Sequence, residues 1–156
     1  MNAISEVFSD LIAHPEAGTP IIRERILSLQ DMMLELEQVD CPVKHHFSGD
    51  SYAREILLPA GSLVIGKIHR HSHVNVISQG ECMVLTEDGV RHLKAPLTFI
   101  SMPETKRVVY AITDVIWTTV HVTSETDLEK IENYVIAPTY NDLDPNLLLE
   151  EVKCLG

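Results

Sequence analysis

The sequence predicts an all-β sandwich or barrel, with an amphipathic helix before it and a short helix after it. Three observations carry this. A hydrophobic pattern of period two runs through residues 43–122, turn signals interrupt it at short intervals, and a pattern of helical period precedes it.

The helical pattern comes first in the chain. Residues 1–18 are weakly patterned, and His14-Pro15 with Gly18 ends any short helix there. Thr19-Pro20 is a start signal, a capping residue followed by proline at the first helical position. From residue 21 to about 38, Ile22, Ile26, Leu29, Met33 and Leu36 recur on one face, while Arg23, Glu24, Asp31, Glu35 and Glu37 occupy the other. Such a helix covers a core or forms an oligomer contact.

After Cys41-Pro42 the period becomes two. Strands are expected near 43–47, 52–58, 63–69, 73–78, 81–86, 90–94, 98–101, 107–112 and 115–122. Between them lie Ser48-Gly49-Asp50, Pro59-Ala60-Gly61, Gln79-Gly80, Asp88-Gly89, Ala95-Pro96, Pro103-Glu104 and Thr113-Asp114, all turn-forming. Thr126 with Glu129 fits a capping box, and Leu128, Ile131, Tyr134 and Val135 then share a helix face that ends before Pro138. The expected organisation is a helical segment at 1–42, a barrel at 43–123, and a helix with an acidic tail at 124–156. Leu147, Leu148 and Leu149 in that tail suit a docked arm, a partner-binding segment or a frayed end.

Composition excludes several functions. The 156 residues carry a net charge of −11, which disfavours a nucleic-acid backbone as partner. No apolar run approaches the roughly 20 residues of a membrane span, and the first fifteen residues do not read as a signal peptide. Cys41, Cys82 and Cys154 are odd in number and unpaired by spacing, as expected of reduced thiols in a cytoplasmic protein.

The chemistry concentrates between Gly66 and Gly80. His69, His71, His73 and Asn75 alternate, so one continuous strand would send all four to the same face. Same-face neighbours lie about 6.7 Å apart at ~3.3 Å per residue, so two imidazoles can converge on one ion. Three would span about 13 Å and share an ion only if the strand bends or bulges. A ligand from another strand is therefore expected, and His121, on the face of Trp117 and Thr119, is the leading candidate. His69, His71 and His121 form the expected set, with His73 or Asn75 as a variable fourth. Zinc, iron, nickel, copper and manganese all accept imidazoles, and a hydrogen-bonded interior without metal is the competing reading.

Around this stretch, Pro59-Ala60-Gly61, Gly66, His69, His71 and Gly80-Glu81 resemble the first motif of the cupin superfamily. That motif is a Pro-x-Gly turn, an HxH pair, a carboxylate a few residues on, and a glycine opening the next hairpin. The segment from Pro103 to Arg107 falls where a second motif, ending in histidine, would lie. The phrasing from Tyr52 through His121 also resembles small cupin-like proteins encoded by bacteriophages, which would place the protein in a host cytoplasm. The resemblance implies a double-sheet jelly roll over about residues 43–122.

Two departures matter. Asn75 stands in the carboxylate slot at a shortened interval from Gly80, and Thr105 stands for the second glycine, with Lys106, Arg107 or Val108 where the last histidine belongs. An alternative register makes His69 the second family histidine and puts His73 in the carboxylate slot. A standard three-histidine, one-glutamate site is not expected.

Arg54, Glu55, Arg107 and Tyr110 are candidates to line the barrel mouth and orient an anionic ligand, with ordinary strand-surface charge the favoured reading of Arg54 and Glu55, and Trp117 is core packing or an aromatic wall. Cys82 reads as core; His14 and His92 read as solvent-exposed, and of the adjacent His45 and His46, which face opposite ways, at most one joins the site, a surface or loop role being favoured. Two functions remain open. One is a metal-binding barrel that holds a small molecule. The other is a non-catalytic jelly roll that sequesters a ligand or builds an assembly, with dimerisation through an exposed sheet edge.

Overall fold

The computed structural model describes residues 3–13 and 19–143. His14, Cys154 and the leucines at 147–149 lie outside the described residues. Helices α1 (Ala3–Ala13) and α2 (Thr19–Leu34) lead into strands β1 (Val43–Ser48), β2 (Ser51–Leu58), β3 (Leu63–Ile65), β4 (Ile68–His69) and β5 (His73–Gln79). Then follow β6 (Glu81–Thr86), β7 (Gly89–Lys94), β8 (Leu97–Ser101), β9 (Val108–Ala111) and β10 (Val115–Val122). Helix α3 (Leu128–Val135), β11 (Ile136–Ala137) and a 3-10 turn at Tyr140–Asp142 complete the described chain.

The strands form an all-antiparallel pair of sheets. One has the order β1-β2-β10-β5-β8, the other β3-β9-β6-β7, and β4 pairs separately with β11. Alternation assigns the faces. Ile56, Leu58, Ile77, Val115 and Trp117 from the first sheet meet Cys82, Val84, Val109 and Ala111 from the second in one interior cluster. The intervening residues of the second sheet, among them Met83, Leu85 and Val108, face outward and receive Phe8, Leu11, Ile22, Ile26 and Leu29 from the helices. The second sheet is thus buried on both sides, which is why β6 reads as nearly continuous apolar sequence.

Charges lock the layers. Arg23 on α2 donates to Glu87 through Nε at 2.6 Å and reaches Glu104 at 3.4 Å, with its guanidinium 4.2 Å over the Tyr140 ring. One residue cluster therefore joins the N-terminal helix, two barrel loops and the C-terminal segment.

Three local expectations are corrected. The run at 63–69 is two strands: after Gly66, whose N–H donates to Arg107 O at 2.9 Å, the chain leaves β9 and pairs Ile68 and His69 with β11. The cap of α3 is Asp127 rather than Thr126, because its carboxylate accepts from the N–H groups of Glu129 and Lys130 at 3.0 and 3.1 Å. Helix α2 ends at Leu34 rather than near residue 38. The last turn closes by Leu36 N–H to Met33 O at 3.1 Å, and Gln38 Nε2 donates to the carbonyls of Met33 and Leu36 at 2.8 Å each, satisfying the helix end.

Candidate imidazole site inside the barrel

The site is built from three strands. Strand β5 turns His73, Asn75 and Ile77 inward by alternation. Its neighbour β10 turns Trp117 and His121 inward, and Val120 opposite Val74 brings His121 beside His73. His69 arrives from β4, which β11 holds through the Ile136–His69 pairing. The imidazole centroids lie 4.2 Å (His69–His73), 5.0 Å (His73–His121) and 5.5 Å (His69–His121) apart.

Burial makes these rings neutral. It pulls His69 down to about 2, helped by the neighbouring charges of His73, His121 and Arg107. His121 falls to about 4, first through burial and then through His73, His71 and Arg54. His73 is also lowered by burial, against the opposing hydrogen bond to His71 O, which its Nδ1 makes at 3.3 Å. His69 Nδ1 and His73 Nε2 are buried without a hydrogen-bond partner. With Nδ1 of His73 as donor, its Nε2 carries a lone pair aimed at nothing.

A polar floor supports the rings. Asn75 is fully buried; its Oδ1 accepts from Trp117 Nε1 at 2.9 Å and its Nδ2 donates to Ser101 Oγ at 2.6 Å. Indole nitrogen only donates, so the amide orientation follows from the network. Arg107 Nη2 also donates to Ser101 Oγ, and the guanidinium lies 5.6 and 5.8 Å from the Phe99 and Trp117 rings. Burial lowers Arg107 to about 10. On the other side the Tyr52 ring stacks 6.2 Å from His121, and its hydroxyl meets His45 Nδ1 at 2.7 Å. Ile131 and Val135 of α3 pack on Tyr52 and close that end.

The expected residues separate. His69, His73 and His121 come together, an arrangement in line with the alternative register of the first motif. His71 stands apart, its ring 4.8 Å from Tyr134 of α3, because residues 70–72 bend between two strands and break the alternation. Asn75, Trp117 and Arg107 lie on the inner face, and Arg54 shares that face through its pairing with Thr119. Tyr110 does not line the barrel mouth. It faces outward from β9, 5.8 Å from the ring of Phe8, because it alternates with the inward Val109 and Ala111. Sequence reasoning missed Ser101 and Tyr52. Ser101 follows Leu97 and Phe99 in alternation, and that signal places it inside.

Among the described residues, no group of three or more His, Cys, Asp or Glu is placed so as to hold a metal ion. A cleft of about 1370 Å³ lies elsewhere, between the helices and β3, β9 and β11, where Lys106 and Tyr110 contribute to its wall. It does not include the histidines.

No family model matches the sequence, and no curated protein matches it. Solved structures do match. Ectoine synthase from P. lautus superposes with a TM-score of 0.52 at 11% identity, over 67% of this chain and 79% of that one. A cupin superfamily protein from Desulfitobacterium hafniense matches with a TM-score of 0.47 at 11% identity, over 59% and 85% of the two chains. An RmlC-like cupin family protein with a double-stranded β-helix fold, from Methanocaldococcus jannaschii, matches with a TM-score of 0.46 at 16% identity, over 62% and 97%. At these identities the likeness concerns fold. The chain adopts an all-β cupin-type jelly-roll fold, with helices on its outer face and at one end.

Proposed function

We propose that the inner face of the barrel is a small-molecule site in which His69, His73 and His121 hold a divalent first-row transition metal. One observation carries the reading: two buried imidazole nitrogens, His69 Nδ1 and His73 Nε2, lack any partner within a trio of neutral rings. A buried polar atom without a partner costs about 1–3 kcal/mol, so an arrangement that retains two of them points to a missing partner. The donor set fits a metal in kind, being neutral nitrogen ligands shielded from water. As placed, the three residues do not form a group disposed to hold an ion, so binding one requires them to rearrange. A bound metal would supply Lewis-acid polarisation of a ligand oxygen. The chain's own residues would wall and orient that ligand, with Arg107 and Trp117 on one side and Tyr52 on the other.

The test is calorimetric titration of chelator-treated protein with Zn²⁺, Mn²⁺ and Ni²⁺. The reading expects one site per chain for at least one of them. A folded protein that takes up none supports the second reading, a metal-free barrel that sequesters its ligand.

A further inference from the structure

The distribution of charge inside the barrel is opposite to that of the chain. Asp and Glu outnumber Lys and Arg by 23 to 12. Yet among the described residues no Asp or Glu occupies an inward strand position. Glu55 faces outward to Lys44 and His46, and Glu81 faces outward to Lys94 and His92. Glu87 and Glu104 sit in loops and are bound by Arg23. Asp50, Asp88 and Asp114 lie in turns. The inward positions instead hold Arg54, Arg107 and three neutral histidines.

Two inward donors converge with no acceptor. A hydroxyl oxygen accepts two hydrogen bonds and donates one. Ser101 Oγ, on a residue only 2% exposed, already accepts from Asn75 Nδ2 and from Arg107 Nη2, so its own O–H is what remains to be matched. Beside it, the guanidinium of Arg107 gives a single donor contact to Ser101, and no carboxylate pairs with it among the described residues. A guanidinium offers five N–H groups in a planar fork, so most of its capacity is unspent.

We infer that this inner face takes a small carboxylate, gripped by the fork of Arg107 and the hydroxyl of Ser101 and projecting toward His69, His73 and His121. The fork grips a carboxylate bidentately, and phosphate, which a guanidinium also matches, is the alternative that the experiment separates. The backbone N–H groups of the strands beneath the site belong to the β5–β8 and β5–β10 ladders, so the side-chain donors of Arg107 and Ser101 carry the recognition. The Phe99 and Trp117 rings flank the guanidinium, with centroids 5.6 and 5.8 Å from its carbon, and hold it by cation–π contact. The inference rests on the small-molecule reading of the barrel, but it needs no metal.

The experiment is calorimetric titration of the chelator-treated full chain with acetate, pyruvate, lactate and succinate. Inorganic phosphate and the uncharged lactamide serve as comparators. At least one carboxylate should bind, with phosphate and lactamide weaker by tenfold or more. Arg107→Met should abolish that binding, Arg107→Lys should weaken it at least tenfold, and Ser101→Ala severalfold. The two conservative variants keep the test informative if Arg107→Met fails to fold. Metal uptake by wild type is titrated separately, without carboxylate, so that failure of this inference and failure of the metal reading are read independently. Absence of carboxylate binding by wild type, tighter binding of phosphate, or wild-type affinity in both Arg107 variants would overturn it.

Discussion

The rings of His69 and His73 lie 4.2 Å apart, centroid to centroid, although they belong to different strands with a bend between them. Two imidazoles this close, with His121 alongside, cannot readily be charged together. The consequence is a pH dependence. All three folded-state values are depressed below the ordinary 6.5, so the unfolded chain binds more protons than the folded one in acid. Stability from these groups is complete above about pH 6.5 and is lost as pH falls through the folded values, toward about 4 and below. Urea midpoints of chelator-treated protein should decline from pH 7 to pH 5, and His69→Gln should flatten that decline. A midpoint constant over this range contradicts the burial of neutral imidazoles.

Asn75 holds the site's floor. Replacing it with alanine strands Trp117 Nε1 in the core and leaves a cavity beside Ser101. The expected cost is about 2–3 kcal/mol, from an unsatisfied buried donor with lost packing added. Equilibrium urea unfolding, monitored through the single tryptophan, measures it directly.

Gly80 and Gly89 make a paired test of two turns, the crossing from β5 to β6 between the sheets and the β6–β7 hairpin. Both have positive φ, +90° and +110°. A Cβ on Gly80 would stand 2.1 Å from the backbone oxygen of Asp114, whereas a Cβ on Gly89 meets nothing within 4 Å. Gly89→Ala therefore pays only backbone strain, about 1 kcal/mol, and Gly80→Ala should cost at least about 2 kcal/mol. Equal losses in the two variants would show that the β5–β6 turn is not packed on the 113–114 turn as described.

Much of the fold was legible because alternation is local. The strands at 73–78, 81–86 and 115–122 match β5, β6 and β10 to within a residue, since each buries a face that the sequence marks. The first motif's run at 63–69 was not legible. Its apolar alternation continues smoothly to His69, while the partner that pulls β4 away, Ile136–Ala137, lies far along the chain behind a helix. The site suffered for that reason. Reading His69 and His71 as one face assumed an unbroken strand, and the bend at 70–72 exchanges His71 for His73. Arg107 carried a signal through its place in the motif, whereas the Ser101 hydroxyl gains its meaning only from two partners on other strands.

The central claim is that His69, His73 and His121, and not His71, form the metal-holding set. Elemental analysis of purified wild-type protein beside His71→Ala, His73→Ala and His121→Ala tests it most directly. The account predicts one first-row transition metal per chain in wild type and in His71→Ala, and near-complete loss in His73→Ala and His121→Ala while both remain folded. Metal retained in His73→Ala and lost in His71→Ala, or a folded wild type that holds none after metal supplementation, would contradict it.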